Sequence, residues 1–138
     1  LSGLVGSEMC LRDRVYTRLP NRPKARHVRL IECLLDLNRA GYRDGVWQCI
    51  KLCQDVREHG YQSRYVVSLK GFPGLCELKP TTRTGERGGA RVYLFWLSDG
   101  RPVLVNAEVK ANGADPNEAL IEEAYDVLIA VKTGRLNL

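Results

Sequence analysis

The stretch from Arg91 to Lys110 constrains this chain more than any other. R-V-Y-L-F-W-L at 91–97 is rich in β-branched and aromatic residues, Asp99-Gly100 favours a tight turn, and P-V-L-V-N-A-E-V-K follows at 102–110. Two such runs around Asp-Gly read as a β-hairpin. A lone hairpin is marginal in water, so its apolar side must be covered by other elements.

The rest of the chain supplies those elements. Lys24 to Arg39 reads as a helix, with Val28, Ile31, Leu34 and Leu35 at helical spacing and Gly41 just past its end. A second helix spans Gly45 to Glu58, with Val46, Trp47, Ile50, Cys53 and Val56 assigned to one face and Gly60 as its stop. After Gly60 the period changes. Tyr65 to Leu69 and Leu75 to Leu78 are strand material interrupted by the turn Gly71-Phe72-Pro73-Gly74. A last helix starts after Asp115, read as its cap, with Pro116 first and Glu118 closing a capping box. Its stripe is Leu120, Ile121, Ala124, Val127, Leu128 and Val131; Glu118, Glu122, Glu123 and Asp126 face outward. A short alternating run, Arg14 to Leu19, adds a strand ahead of the helices. The order is strand, two helices, three antiparallel strands, helix. The fold class is α+β, a two-helix hairpin packed on a small antiparallel sheet.

Length and composition agree. The chain has 138 residues, 44% of them hydrophobic and 27% charged, which excludes a disordered or fibrous chain. A single domain over 11–138 buries about two-thirds of its unfolded surface and needs no staple. Residues 1–10 read as a vector or upstream remnant, with Met9 the only methionine. They lack the basic start and apolar core of a secretory signal. No run approaches the ~20 apolar residues of a membrane helix. Cys10, Cys33, Cys49, Cys53 and Cys76 are odd in number and irregular in spacing, as in a reduced cytoplasmic protein. They offer no zinc or redox pair, and no metal or cofactor is expected.

The formal net charge of +5 favours a polyanionic partner. Alternation places Val92, Leu94 and Trp96 toward the core and Arg91 and Tyr93 on an open face. On the next strand Val103, Val105, Ala107 and Val109 form the apolar side, leaving Asn106, Glu108 and Lys110 on the open platform. The segment leading to it carries Lys79, Arg83, Arg87 and Arg91 against Glu86 alone, with Lys70 upstream. Guanidinium forks match phosphate oxygens, so this is the candidate phosphate surface. A second basic run, Arg12 to Arg29, holds six arginines and Lys24 against Asp13, and reads as a solvated helix face. His27 and His59 lie with the helices, so proton transfer at the platform falls to Lys, Arg, Tyr or Glu.

The residues from 70 onward resemble the RelE/HigB superfamily of bacterial toxins, especially its phage-derived HigB-like branch. The resemblance rests on G-L-C-E-L-K at 74–79, G-G-A-R-V-Y-L-F-W at 88–96 and D-G at 99–100. V-L-V-N-A-E-V-K at 103–110 and D-P-N-E-A-L-I-E-E-A at 115–124 continue it in the family's order. It implies a RelE-like fold and an mRNA endoribonuclease that inhibits translation, usually on the ribosome, restrained by a cognate antitoxin. It also implies metal-independent cleavage by attack of the ribose 2′-OH on the adjacent phosphate. By position, Arg91 would stabilise the phosphorane. Lys79 and Arg83 or Arg87 would position RNA with Lys70, and Tyr93 and Lys110 would transfer protons.

Two alternatives stand beside this reading. Asn106, Glu108 and Ala111 occupy places where the family commonly has histidine, an aromatic and a second lysine, which favours a binder of RNA or a partner that does not cut. Glu108-Val109-Lys110 also has the E-x-K form of Mg²⁺-dependent nucleases, with Asp99 as the only upstream carboxylate available to complete the metal site.

Overall fold

The computed structural model describes residues 29–80, 89–111 and 113–137. The expected strand at Arg14–Leu19, the first turn of the first helix, and Arg83 and Arg87 lie outside the described residues. Within them the chain is α+β. Helix α1 (Arg29–Arg39) and helix α2 (Arg43–His59) precede strands β1 (Val66–Ser68), β2 (Cys76–Leu78), β3 (Gly89–Trp96) and β4 (Pro102–Lys110), and helix α3 (Glu118–Lys132) closes the order. A 3-10 turn at Gly60–Gln62 follows α2. No described helix is long and apolar enough to cross a membrane.

The four strands form one antiparallel sheet in the order β1-β2-β3-β4. Its first strand is the short Val66–Ser68 pairing with Leu78–Cys76, so the material at 65–78 makes two strands around a turn rather than one interrupted strand.

The helices do not share one face of the sheet. Leu30, Cys33 and Leu34 of α1 and Val46, Cys49, Ile50 and Val56 of α2 pack with Val92, Leu94, Leu104 and Ala107. On the opposite face Ile121, Ala124, Val127 and Leu128 of α3 pack with Leu75, Tyr93, Phe95, Val103 and Val105. The expected open platform is therefore a second core. The physical reason is visible in β3, which is apolar on both sides: an uncovered face holding Phe95 and the Tyr93 ring would expose a large hydrophobic patch.

The assignment of Val103, Val105, Ala107 and Val109 to one face also changes. The β3–β4 register shifts between Tyr93 and Leu94, so Tyr93 pairs with Asn106 while Leu94 pairs with Leu104. A bulge of this kind reverses the side-chain parity of everything beyond it. Val103 and Val105 consequently face α3, whereas Leu104 and Ala107 face the helix pair.

Two helical faces differ from the periodic reading. Leu35 is 38% exposed and Trp47 is 62% exposed, while Leu30, Cys49 and Leu52 take the buried positions. Helix α3 begins later than expected: Asn117, not Asp115, caps it, its side chain accepting from the Ala119 and Leu120 amides. Glu123 is also not an outward charge. Its carboxylate accepts from Arg29 Nε at 2.7 Å and from Asn106 Nδ2 at 3.1 Å, joining α1, β4 and α3.

Candidate functional site

Strand register assembles the site. On β3, Arg91 stands opposite Glu108 of β4, and Tyr93 stands opposite both Glu77 of β2 and Asn106 of β4. Lys110 is opposite Gly89, and Lys79 follows directly after the pair Leu78–Val92. Three adjacent strands thus bring Lys79, Arg91, Glu108 and Lys110 to one end of the sheet. Lys70 is not there: it lies in the β1–β2 turn, beyond the opposite end of β2.

The chemistry at this end is paired rather than open. Arg91 is 11% exposed at its side chain, and its Nε lies 3.9 Å from Glu77 Oε2. Its Nη1 donates to the Ala90 carbonyl at 2.9 Å. Gly89 leaves room for that posture, since a Cβ there would stand 2.8 Å from Arg91 Nη1.

Tyr93 is completely buried, so its assignment to an exposed face is corrected. Its hydroxyl donates to Glu108 Oε2 at 2.6 Å, and the Asn117 amide donates to the same oxygen at 2.9 Å. Burial, and then the bond to the Glu108 carboxylate, push the Tyr93 phenol well above its ordinary range. A phenol held this way keeps its proton near neutrality and is a poor general base. Glu108 Oε2 takes both of these hydrogen bonds, which leaves Oε1 as the oxygen without a hydrogen-bond partner among the described residues.

Asn106 is also turned inward. It is fully buried, and Nδ2 donates to the Leu120 carbonyl at 2.9 Å as well as to Glu123. Its side chain serves the seam between sheet and α3, not the cluster around Arg91.

The carboxylates do not gather for a metal. Asp99 sits in the β3–β4 turn, at the far end of the hairpin from Glu108, and its Oδ2 accepts from Arg101 Nε at 2.8 Å. Among the described residues no group of three or more His, Cys, Asp or Glu side chains could hold a metal ion.

Two contributors escaped the sequence reading. Glu77 shares the E-L-K strand with Lys79, and a period of two from Lys79 would have placed it beside the arginine. The Asn117 amide carries no sequence signal at all, because any residue at the start of α3 would present one. No family model matches the chain, and no curated protein is significantly similar to it.

Proposed function

We propose that this chain is a toxin of the RelE/HigB superfamily, an mRNA endoribonuclease that inhibits translation and is restrained by a cognate antitoxin in the bacterial cytoplasm. The observation that carries the reading is the grouping of Lys79, Arg91, Glu108 and Lys110 at one end of an antiparallel sheet that follows a helix pair. The RelE-like fold is the arrangement that this order resembles.

In the proposed reaction the ribose 2′-OH attacks the adjacent phosphorus and the P–O5′ bond breaks, leaving a cyclic 2′,3′-phosphate and a 5′-hydroxyl end. Glu108 accepts the 2′-OH proton through Oε1. Arg91 faces the phosphorane oxygens, where a preorganised cation has its largest effect. Lys110 protonates the departing 5′-oxygen, and Lys79 holds the strand by its phosphates. Tyr93 keeps the Glu108 carboxylate in place and does not itself exchange a proton. No step requires a metal. RNA, with or without the ribosome, and the antitoxin are the partners of this reading.

A second reading is favoured by Asn106 and Arg91. With Asn106 committed to α3 and Arg91 drawn toward Glu77, the domain holds RNA or a partner without cutting.

Induction of this chain alone in a bacterial host, with growth followed and mRNA 5′ ends mapped, separates the two. Growth arrest with new 5′-hydroxyl ends, relieved by Arg91→Ala and insensitive to EDTA in vitro, supports the ribonuclease. Unimpaired growth with abundant folded protein would sink it and leave the binder. Cleavage abolished by EDTA would instead return weight to the Glu108-x-Lys110 metal nuclease.

A further inference from the structure

Helix α2 carries a feature that the Arg91 cluster does not use. Arg43, Trp47 and Lys51 are spaced four apart, which aligns them along one stripe of the helix. All three are exposed, and Trp47 is 62% exposed even though its neighbour Val46 is buried. Trp47 shares a groove with the exposed Tyr42, and an exposed aromatic patch of this kind marks an interaction site.

The stripe borders two grooves. One, of about 620 Å³, is lined by Tyr42, Arg43, Trp47 and Lys51, with Val109 of β4 at its floor. The other, of about 290 Å³, runs from Lys51 to Arg64 and Tyr65. Gln48 and Lys51 line both, so they adjoin as one trough. Its lining combines the rings of Tyr42, Trp47 and Tyr65 with the cations Arg43, Lys51 and Arg64. Tyr42 is 52% exposed, and Arg64 lies 5.0 Å above the Tyr65 ring. Among the described residues the acids in the trough are Asp44 and Asp55. Asp44 sits in the first turn of α2, where a carboxylate complements the helix dipole. Asp55 accepts from the Ser63 hydroxyl and faces His59 at 3.7 Å.

We propose that this trough binds an unpaired RNA strand, with bases stacking on Trp47 and Tyr42 and phosphates meeting Arg43, Lys51 and Arg64. Flat rings beside cations are what a single strand requires, because every base has a π face and every linkage a charge. An acidic peptide would use the cations and leave the exposed rings without a role. The choice of RNA over DNA rests on the proposed substrate; the stacking chemistry does not. Gln48 Oε1 accepts from the Ala90 amide at 3.3 Å, so the trough passes the β3 backbone at the residue preceding Arg91.

The test is fluorescence anisotropy of a 5′-labelled twelve-nucleotide adenylate RNA with the full chain carrying Arg91→Ala, so that the probe stays intact. Trp47→Ala is expected to weaken binding about ten-fold or more, with Trp47→Phe restoring most of it. Lys51→Glu is expected to weaken binding and flatten its salt dependence. A duplex of the same length should bind less well, and the DNA strand comparably or less well than the RNA. Circular dichroism melting shows whether each variant is folded; the Trp47 and Lys51 side chains are exposed. Affinity unchanged by both Trp47→Ala and Lys51→Glu, or duplex bound as well as single strand, overturns the proposal and leaves the aromatic stripe to a protein partner. RNA held through Trp47 by a wild-type chain that never cuts mRNA supports the trough and sinks only the ribonuclease reading.

Discussion

The Tyr93 hydroxyl and the Glu108 carboxylate form a 2.6 Å hydrogen bond across β3 and β4, with the Asn117 amide donating to the same carboxylate oxygen. The bond ties the core between sheet and α3 to the one end of the sheet where the cationic residues gather. It also separates roles that the residue types alone leave mixed: the phenol is a buried hydrogen-bond donor, and the carboxylate is its acceptor.

Tyr93→Phe tests that division. The ring still fills its place, while Glu108 loses one donor; because Glu108 is half-buried, water replaces part of the loss. Urea unfolding should show a loss of about 1–2 kcal/mol. Under the proposed ribonuclease reading, RNA cleavage should stay within about ten-fold of the parent. A loss of a hundred-fold or more, in the range that general acid–base groups supply, would restore Tyr93 as a proton donor.

Arg91 offers the sharper activity test. If the chain is the proposed ribonuclease, Arg91→Ala should lower the cleavage rate by about a hundred- to a thousand-fold, the range for removing one preorganised charge-stabilising donor. The melting temperature should also fall, because Arg91 is only 11% exposed and its loss leaves the similarly covered Glu77 carboxylate without this cation, so the rate is compared on folded protein. Arg91→Lys should recover only part of the rate, since an ammonium lacks the fork geometry. Primer-extension mapping of mRNA ends gives the rate, and full cleavage by Arg91→Ala would remove the residue from the mechanism.

Helix α2 meets β4 at a backbone approach that only glycine permits. A Cβ on Gly45 would overlap the Val109 methyls, so Gly45→Ala should cost about 1–3 kcal/mol in chemical denaturation. Adding Val109→Ala should restore part of that loss, because it removes the obstructing methyls. If the double variant is as unstable as the sum of the two singles, the contact is not the cause.

The buried thiols set an alkaline limit. Burial pushes Cys49 from the ordinary thiol range up to about 12, and the Tyr93 phenol moves in the same direction. For groups with a raised folded pKa, the protonated form is favoured in the fold. Their contribution is complete below the unfolded values, about 8.5 for a thiol and about 10 for a phenol. It is lost as pH rises beyond them. Melting temperature should therefore fall above about pH 9, and Cys49→Ala should reduce the slope between there and about 12. In a Cys10→Ser background the half-buried Cys76 should react with a thiol reagent before Cys33, Cys49 or Cys53. Flat stability to pH 11, or Cys49 reacting first, would contradict this account.

Much of the fold was legible in the residues, and the reason is local. Helix and strand periods, Asp99-Gly100 and the glycine stops depend on neighbours within a few positions, so α1, α2, the β3–β4 hairpin and α3 sit close to where periodicity puts them. The α3 cap was misplaced by two residues because Asp115 and Asn117 are both good caps; Asn117 is the one whose side chain reaches the following amides. Lys79, Arg91 and Lys110 were legible as a cationic set because strand order alone brings them to one end.

What the amino-acid sequence determined by itself is the succession of elements, the apolar character of β3 on both sides and the excess of positive charge. Only the tertiary structure decided which faces are covered. A one-residue register shift between Tyr93 and Leu94 sends Val103 and Val105 toward α3, and α3 converts a platform into a core. The same packing turns Tyr93 and Asn106 inward and leaves Trp47 facing water, because helical and strand periods specify spacing but not which side meets a partner.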